Sequence, residues 1–411
     1  MTFHRILLLN RNHIGDCLFT TPAIRALRSA YPEAVLVVAV PPVNQDLLAS
    51  NPCLTEVLVR PLRGVSHQLR LLREIRRRRF DLVISFQEKS FWYAALARLS
   101  GARLTVSLQH WRTQPFYHRI VPVVPGHHEV EKYHAIAQAV RGPVPPRQGD
   151  GDRSAATPGG AQGDLANGLA HPPRGYPPRP PVAPSLQAPG AMELHVSREH
   201  RARAEALLAE LGVEEETLLV GINPGATLRV KRWPMERFAA VGRELVARYG
   251  AQVLVFGGPD DEARAVAITR AIPSALTVAG RTRLGETAAL LRRCRLLVSG
   301  DTGPLHMAVA LGVPTIGLFG PTNPGKYGPW GIRGEGRHRA TVLRHGEPCR
   351  QCHRPCVHTI SAEECLAAAD AWLNQNEGPA SLPGAGTHAV GGREVSGVSF
   401  AGTGREAWDN A

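Results

Sequence analysis

The feature that most narrows the fold is an alternation that breaks once. Short apolar runs, each followed by a helix-spaced segment, recur from Phe3 to about Arg141, vanish, and then resume. HRILLLN (from His4), AVLVVAVP (from Ala34) and FDLVISF (from Phe80) are continuous apolar runs, as a strand buried on both faces requires. TTPAIRALRSAYP (from Thr20) and HQLRLLREIRRRR (from His67) lie between them with apolar residues at helical spacing. Repeated strand, helix, strand predicts a parallel sheet covered by helices. The later block has the same grammar, with TLLVGINPG, AQVLVFGGP, RLLVSGDTG and VPTIGLFGP as strands running into turns. Its first helix, SREHRARAEALLAELG, begins at Ser197 as N-cap and stops at Gly212. Two α/β units of this kind, joined by a linker, predict two Rossmann-like parallel-sheet domains facing each other across a cleft.

The interruption sets the boundaries. Of the 50 residues from Pro143 to Met192, 20 are Pro or Gly by count along the sequence. Such a segment buries too little apolar surface to offset its ordering entropy. The division expected is therefore 1–142 as the N-terminal domain, 143–192 as a disordered linker or insertion, 193–378 as the C-terminal domain and 379–411 as a loose tail.

Charge is a weaker guide. The net charge is +13, but only Lys89, Lys132, Lys231 and Lys326 are lysines, which leaves 44 Arg scattered apart from the run Arg76 to Arg79. A nucleic-acid binder would pair its cations with stacking aromatics, and aromatics are 6% of the chain and dispersed. No nucleic-acid partner is expected, whereas an anionic membrane surface suits the charge. Nothing approaches the apolar length of a membrane span, and MTFHRILLLN reads as a first strand rather than a secretory leader. A cytoplasmic protein, peripheral on the inner face of the cytoplasmic membrane, is the expectation. Cys17, Cys53 and Cys294 read as buried small hydrophobes. Cys349, Cys352, Cys356 and Cys365 cluster, so a bound metal is chemically available there, although the spacing is not that of a zinc ribbon.

In open α/β sheets ligands bind beyond the carboxyl ends of the strands, where amides and helix N-termini gather. Four loops fall there. In the first, Arg11 and Asn12 precede Gly15, which is expected to permit a tight turn, and Asp16, which either caps the helix or points a carboxylate into the cleft. The second holds Gly225, Thr227 and Lys231, donors suited to a diphosphate, with Trp233 as a packing anchor. The third holds Asp260, Asp261 and Glu262, either favouring a helix N-terminus or accepting from ribose hydroxyls. In the fourth, Gly300 and Gly303 bracket Asp301 and Thr302, and His306 follows one turn on. Asp301 suits sugar hydroxyls, while Thr302 and the Gly303 amide suit phosphate.

Taken in order, RNHIGDCLFTTPAIRALR (from Arg11), HEVEKYHAI (from His128), NPGA with KRWP, VFGGPDDE and SGDTGPLHMAVALGVPTIGLFGPTNP resemble glycosyltransferase family 9, the lipopolysaccharide heptosyltransferases. The heptosyltransferase II branch is the nearest likeness. The resemblance implies a GT-B fold and transfer of a heptose from an ADP-activated donor with inversion at the anomeric carbon, onto a lipid-anchored oligosaccharide acceptor. By it, Asp16 corresponds to the catalytic base on the acceptor side, with Arg11, Asn12 and Gly15 in its loop. Thr227, Lys231, Asp301, Thr302, Gly303 and His306 correspond to donor positions, and Asp260 to a ribose-binding acid. Where the family carries Asn-Asp-Ser-Gly, this chain carries Gly300-Asp301-Thr302-Gly303, which keeps a hydroxyl and removes one side chain. No cofactor or catalytic metal is required if protein cations and helix dipoles stabilise the departing ADP. No DxD-like pair stands in a suitable loop.

Overall fold

The rhythm of the sequence becomes two sheets of identical design. A computed structural model of the chain describes residues 2–60, 64–140, 189–330, 339–345 and 356–374. In the N-terminal half the strands are β1 (Arg5–Leu9), β2 (Val35–Val40), β3 (Glu56–Val59), β4 (Leu82–Ser85), β5 (Leu104–Leu108) and β6 (Arg119–Val121). The helices among them are α1 (Ile14–Phe19), α2 (Thr21–Ala30), α3 (Gln45–Leu48), α4 (Val65–Arg78), α5 (Phe91–Leu99) and α6 (Glu129–Ala139). The C-terminal half has β7 (Leu219–Asn223), β8 (Gln252–Val255), β9 (Leu276–Thr277), β10 (Leu296–Gly300), β11 (Thr315–Leu318) and β12 (Ala340–Leu343). Its helices are α7 (Arg198–Glu210), α8 (Met235–Tyr249), α9 (Glu262–Arg270), α10 (Leu284–Arg293), α11 (Gly303–Ala310), α12 (Pro324–Tyr327) and α13 (Ala362–Leu373).

The first sheet runs β3-β2-β1-β4-β5-β6 and the second β9-β8-β7-β10-β11-β12, every pairing parallel. Both are doubly wound, and strand order reverses beside β1 in one and β7 in the other. A crevice opens beyond the strand ends at such a reversal. The continuous apolar runs are what a parallel sheet covered on both faces demands: β1 is buried from Ile6 through Leu9, and β4, β5, β7 and β10 are buried throughout. Helix α7 starts at Ser197, whose Oγ accepts from the His200 amide at 3.0 Å, and it ends before Gly212, which takes φ +73°.

The domains are joined by packing as well as by chain. Residues 189–196 lie along α2: the Glu193 amide donates to Thr21 Oγ1 at 3.0 Å, Arg25 pairs with Glu193, and Met192, Leu194 and Val196 are buried. Met192, placed in the linker by composition, therefore belongs to this packed segment; residues 143–188 and the tail 379–411 lie outside the described residues. Trp233 is fully buried, its ring edge-on to Phe238 and its Nε1 donating to the Ile360 carbonyl at 2.9 Å. It is the anchor expected of it. Replacing Trp233 by Ala should lower the unfolding free energy by about 3–5 kcal/mol in urea titration, the usual cost of emptying so large a buried site.

Candidate active site

On the N-terminal side the site grows out of the end of β1. The buried Asn10 amide donates to Thr20 Oγ1 at 2.9 Å, pinning the loop to the start of α2. Helix α1 is capped by His13 without a side-chain bond, and Asp16 is its third residue. The cap reading of Asp16 therefore fails. Its carboxylate accepts instead from Arg11, Nη2 at 3.1 Å and Nε at 3.3 Å, both onto Oδ2. Arg11 also reaches Glu88 Oε2 at 3.1 Å and the Phe86 carbonyl at 3.3 Å. Burial alone would weaken the Arg11 charge, but the neighbouring carboxylates of Asp16 and Glu88 more than offset it and raise its pKa. Asn12 is exposed, but its side-chain Oδ1 accepts from Arg60 and from Gln87 Nε2. Arg11, Asn12 and Lys89 line an open pocket in front of this cluster.

The C-terminal side is built at the ends of β7 and β10. Asn223, the last residue of β7, donates to Ser299 Oγ at 3.0 Å and Thr302 Oγ1 at 2.9 Å, fixing the turn into α11. Asp301 is nearly buried between Lys231 Nζ at 2.8 Å and His306 Nε2 at 3.6 Å. Burial would raise its pKa, but the His306 contact and the Lys231 charge outweigh that and hold it well below the usual carboxylate range. Thr302 is the N-cap of α11 in an extended conformation, and Gly303 is its first helical residue, so the amides of that end lie beside the Lys231–Asp301 pair. His306 Nδ1 is buried and, among the described residues, has no hydrogen-bond partner.

The two half-sites meet through two glycines. A Cβ on Gly15 would lie 2.5 Å from His306 Cδ2, and a Cβ on Gly303 would lie 2.8 Å from Ile14 Cδ1. Gly15 sits inside α1 with no left-handed φ, so it serves close approach, not the tight turn the sequence suggests. Phe19 stands edge-on to both His306 and His128, at 4.9 and 5.0 Å between centroids. His128 in turn lies 4.7 Å from the Trp330 ring and 3.0 Å from the Gly328 carbonyl. It also caps α6, with Nδ1 accepting from the Val130 amide at 3.2 Å. The neutral imidazole with its proton on Nε2 satisfies both bonds at once. Nearby, buried Glu129 accepts from Lys132 Nζ at 2.8 Å and from the Tyr133 hydroxyl at 2.9 Å. Burial pushes the phenol of Tyr327, on α12, up to about 12.

Asp16, Arg11, Asn12 and Gly15 thus share one wall, and Lys231, Asp301, Thr302, Gly303 and His306 the other. Two expected residues stand apart: Thr227 and Asp260 are exposed. The acid that reaches the second loop is Asp261, whose carboxylate lies where a Cβ on Gly225 would be, 2.3 Å from Oδ2. Sequence reasoning assigned no role to Asn223, Glu88 or Tyr327, since each acts through a fold partner distant in sequence. Of the cysteines, Cys17 and Cys294 are buried and Cys53 is half-buried. Cys365 is packed in the core and burial pushes its thiol up to about 12, while Cys356 is half-buried in a short helical turn. Cys349 and Cys352 lie outside the described residues. Among the described residues no group of His, Cys, Asp or Glu is arranged to hold a metal ion.

Two Rossmann-like domains, each a doubly wound six-stranded parallel sheet, are the architecture of the GT-B fold. The chain is similar to glycosyltransferase family 9: the family's model, described as "Glycosyltransferase family 9 (heptosyltransferase)", matches residues 184–358. Lipopolysaccharide heptosyltransferase 2 of Salmonella typhimurium is 25% identical over 360 residues, covering 83% of this chain and 88% of that protein. Its counterpart in Escherichia coli K12 is 24% identical over 397 residues, covering 91% and 99%. Among solved structures, a family 9 glycosyltransferase from Veillonella parvula superposes with a TM-score of 0.73 at 24% identity, covering 92% of this chain and 99% of that one. The E. coli ADP-heptose heptosyltransferase II superposes at 0.69 and 22%, covering 91% and 100%.

Two outcomes follow from the contact between the half-sites. Gly15→Ala should lower kcat/KM by at least ~10-fold and lower the melting temperature by a few degrees, since a 2.5 Å approach forces the buried His306 ring away. Steady-state kinetics beside thermal melts checks it. The second outcome concerns acid. Burial, against the Gly328 bond, pushes His128 down to about 4, below the roughly 6.5 of an unfolded histidine. The native state then binds fewer protons, so this contribution is complete above about pH 6.5 and drains as pH falls toward 4, by about 3 kcal/mol. Urea titrations at several pH values should show that slope reduced in His128→Gln.

Proposed function

We propose that the protein transfers a heptose from ADP-heptose, with inversion, onto a lipopolysaccharide inner-core acceptor at the cytoplasmic membrane face. The observation that carries this reading is the meeting of Asp16 with the Lys231–Asp301–His306 cluster through Gly15 and Gly303. A base from one domain and an anion-binding end from the other share one interdomain space. The names of the relatives supply the donor and acceptor classes.

In this reading the acceptor hydroxyl attacks the anomeric carbon from the face opposite the diphosphate. The new carbon–oxygen bond forms as the bond to the diphosphate breaks. The hydroxyl proton passes to the Asp16 carboxylate, and both bonding electrons leave with ADP. Arg11, which lines the pocket taken here as the acceptor's, anchors one oxygen of the Asp16 carboxylate and leaves the other to accept the proton. Lys231, the Thr302 hydroxyl and the Gly303 amide at the start of α11 offset the charge that develops on ADP. Asp301 holds the Lys231 ammonium at that end, and the unpartnered Nδ1 of His306 is a group the bound donor would satisfy. Asp261, which faces the Gly225 loop, replaces Asp260 as the acid for the ribose hydroxyls. These cations and the helix end supply what a divalent metal supplies in other transferases, so the reaction is assigned no metal. Closure of the domains excludes water that would otherwise hydrolyse the donor.

Asp16→Asn tests this. A general base contributes about 10²–10⁴ in rate, so turnover of ADP-heptose should fall by that factor while ADP affinity by calorimetry stays within about twofold. Equal loss of both would make Asp16 a structural residue, and full turnover in the variant would remove it from the chemistry.

A further inference from the structure

The rim of the acceptor pocket carries aromatic side chains that the reaction does not use. Phe91 is 62% exposed, Trp111 71%, and Trp92 and Leu69 are exposed as well. They come from three stretches that the parallel topology brings to the same end of the sheet, beyond the carboxyl ends of the strands: the start of α4, the start of α5, and the turn after β5. Contacts knit them together. Phe91 stands edge-on to Phe116 at 4.8 Å, and Trp92 Nε1 donates to Gln68 Oε1 on α4 at 2.9 Å. Thr113 Oγ1 donates to the Glu88 carbonyl, tying the Trp111 turn to the loop that leads through Lys89 into α5. Lys89 and Ser90 also line the pocket beside Arg11 and Asn12, so the aromatic edge and the acceptor pocket are continuous.

The charge on this edge is predominantly positive. Segments 64–73, 89–99 and 109–117 carry Arg70, Arg73, Lys89, Arg98 and Arg112, while the acids that flank them, Glu74 and Glu88, are paired with Arg77 and Arg78 and with Arg11. The Arg112 guanidinium lies 4.6 Å over the Trp111 ring. A tryptophan this exposed costs solvation, and monomers seldom retain several such residues together without a use. Tryptophan with its indole N–H, flanked by cations, suits the boundary between headgroups and acyl chains. A neutral protein groove would complement the aromatics but not the excess of positive charge, whereas an anionic bilayer complements both.

We infer that the edge formed by Phe91, Trp92, Trp111 and their neighbouring cations is a docking surface for an anionic lipid bilayer. The bilayer inserts the rings at headgroup depth and sets the acceptor pocket against the membrane. The purpose of this surface rests on the reading of a lipid-anchored acceptor, but the surface itself does not depend on which sugar is moved.

The test is co-sedimentation of the full-length protein with phosphatidylglycerol vesicles and with phosphatidylcholine vesicles, at low and high salt. The wild type should bind the anionic vesicles, weaken as salt rises, and bind phosphatidylcholine at least ~10-fold less. Phe91→Ser combined with Trp111→Ser should cut anionic binding at least ~10-fold, since both rings leave the interface. Both positions are largely exposed, so the melting temperature should hold; Arg112→Glu is the second variant and should weaken binding to phosphatidylglycerol alone. Equal vesicle binding by wild type and both variants overturns the inference. So does an absence of binding to either lipid, which leaves the edge to a protein partner. Donor turnover measured in parallel keeps the two readings apart. Vesicle binding without ADP-heptose turnover defeats the proposed reaction and leaves the docking surface standing, and turnover without vesicle binding does the reverse.

Discussion

The arrangement depends on a contact that only glycine permits. Gly15 on one domain admits the His306 ring, and Gly303 on the other admits Ile14, so α1 and α11 meet with no Cβ between them at those points. Without that approach, the carboxylate on α1 and the cationic cluster beside α11 would belong to separate surfaces. With it, the loops at the strand ends of two sheets of the same doubly wound topology come into contact. Phe19 and His128 extend the contact to Trp330, so the junction is partly apolar and resists being drawn apart.

The charges around that junction make sense only in pairs. A buried carboxylate such as Asp301 is costly unless its partners are held, and Lys231 and His306 hold them. Arg11 plays the same part between Asp16 and Glu88. Neither cluster is a good device for stability, since an apolar substitute would pack at less cost. Their position at strand ends, facing a reversal of strand order, is what a ligand site requires.

The fold was legible because parallel strands buried on both faces must be continuously apolar. RILLL, VLVVAV and LVIS announce themselves in that way. Of the strands that were not legible, β3 has an intermediate and exposed pattern, β9 is two residues long, and β5, though buried throughout, has its apolar run broken by Thr105 and Ser107. Asp16, Lys231 and Asp301 were readable from loops that end in helices. The partners were not, because Asn223 acts on Thr302 across 79 positions and Arg11 on Glu88 across 77. Which of the adjacent acids Asp260 and Asp261 faces Gly225 was not legible, because the short helical turn over Pro259–Asp261 sets it. Gly15 was read as a turn for a similar reason: the residue type was right, and the neighbour it makes room for lies in the other domain.

A crystal structure of the protein with an unreactive ADP-heptose analogue would test the central claim most directly. The account requires the diphosphate beside Lys231 and the first amides of α11, with the anomeric carbon presented to the Asp16 carboxylate across the Gly15–His306 contact. A donor seated away from α11, or one whose sugar points out of the interdomain space and leaves Asp16 against Arg11 alone, would contradict it.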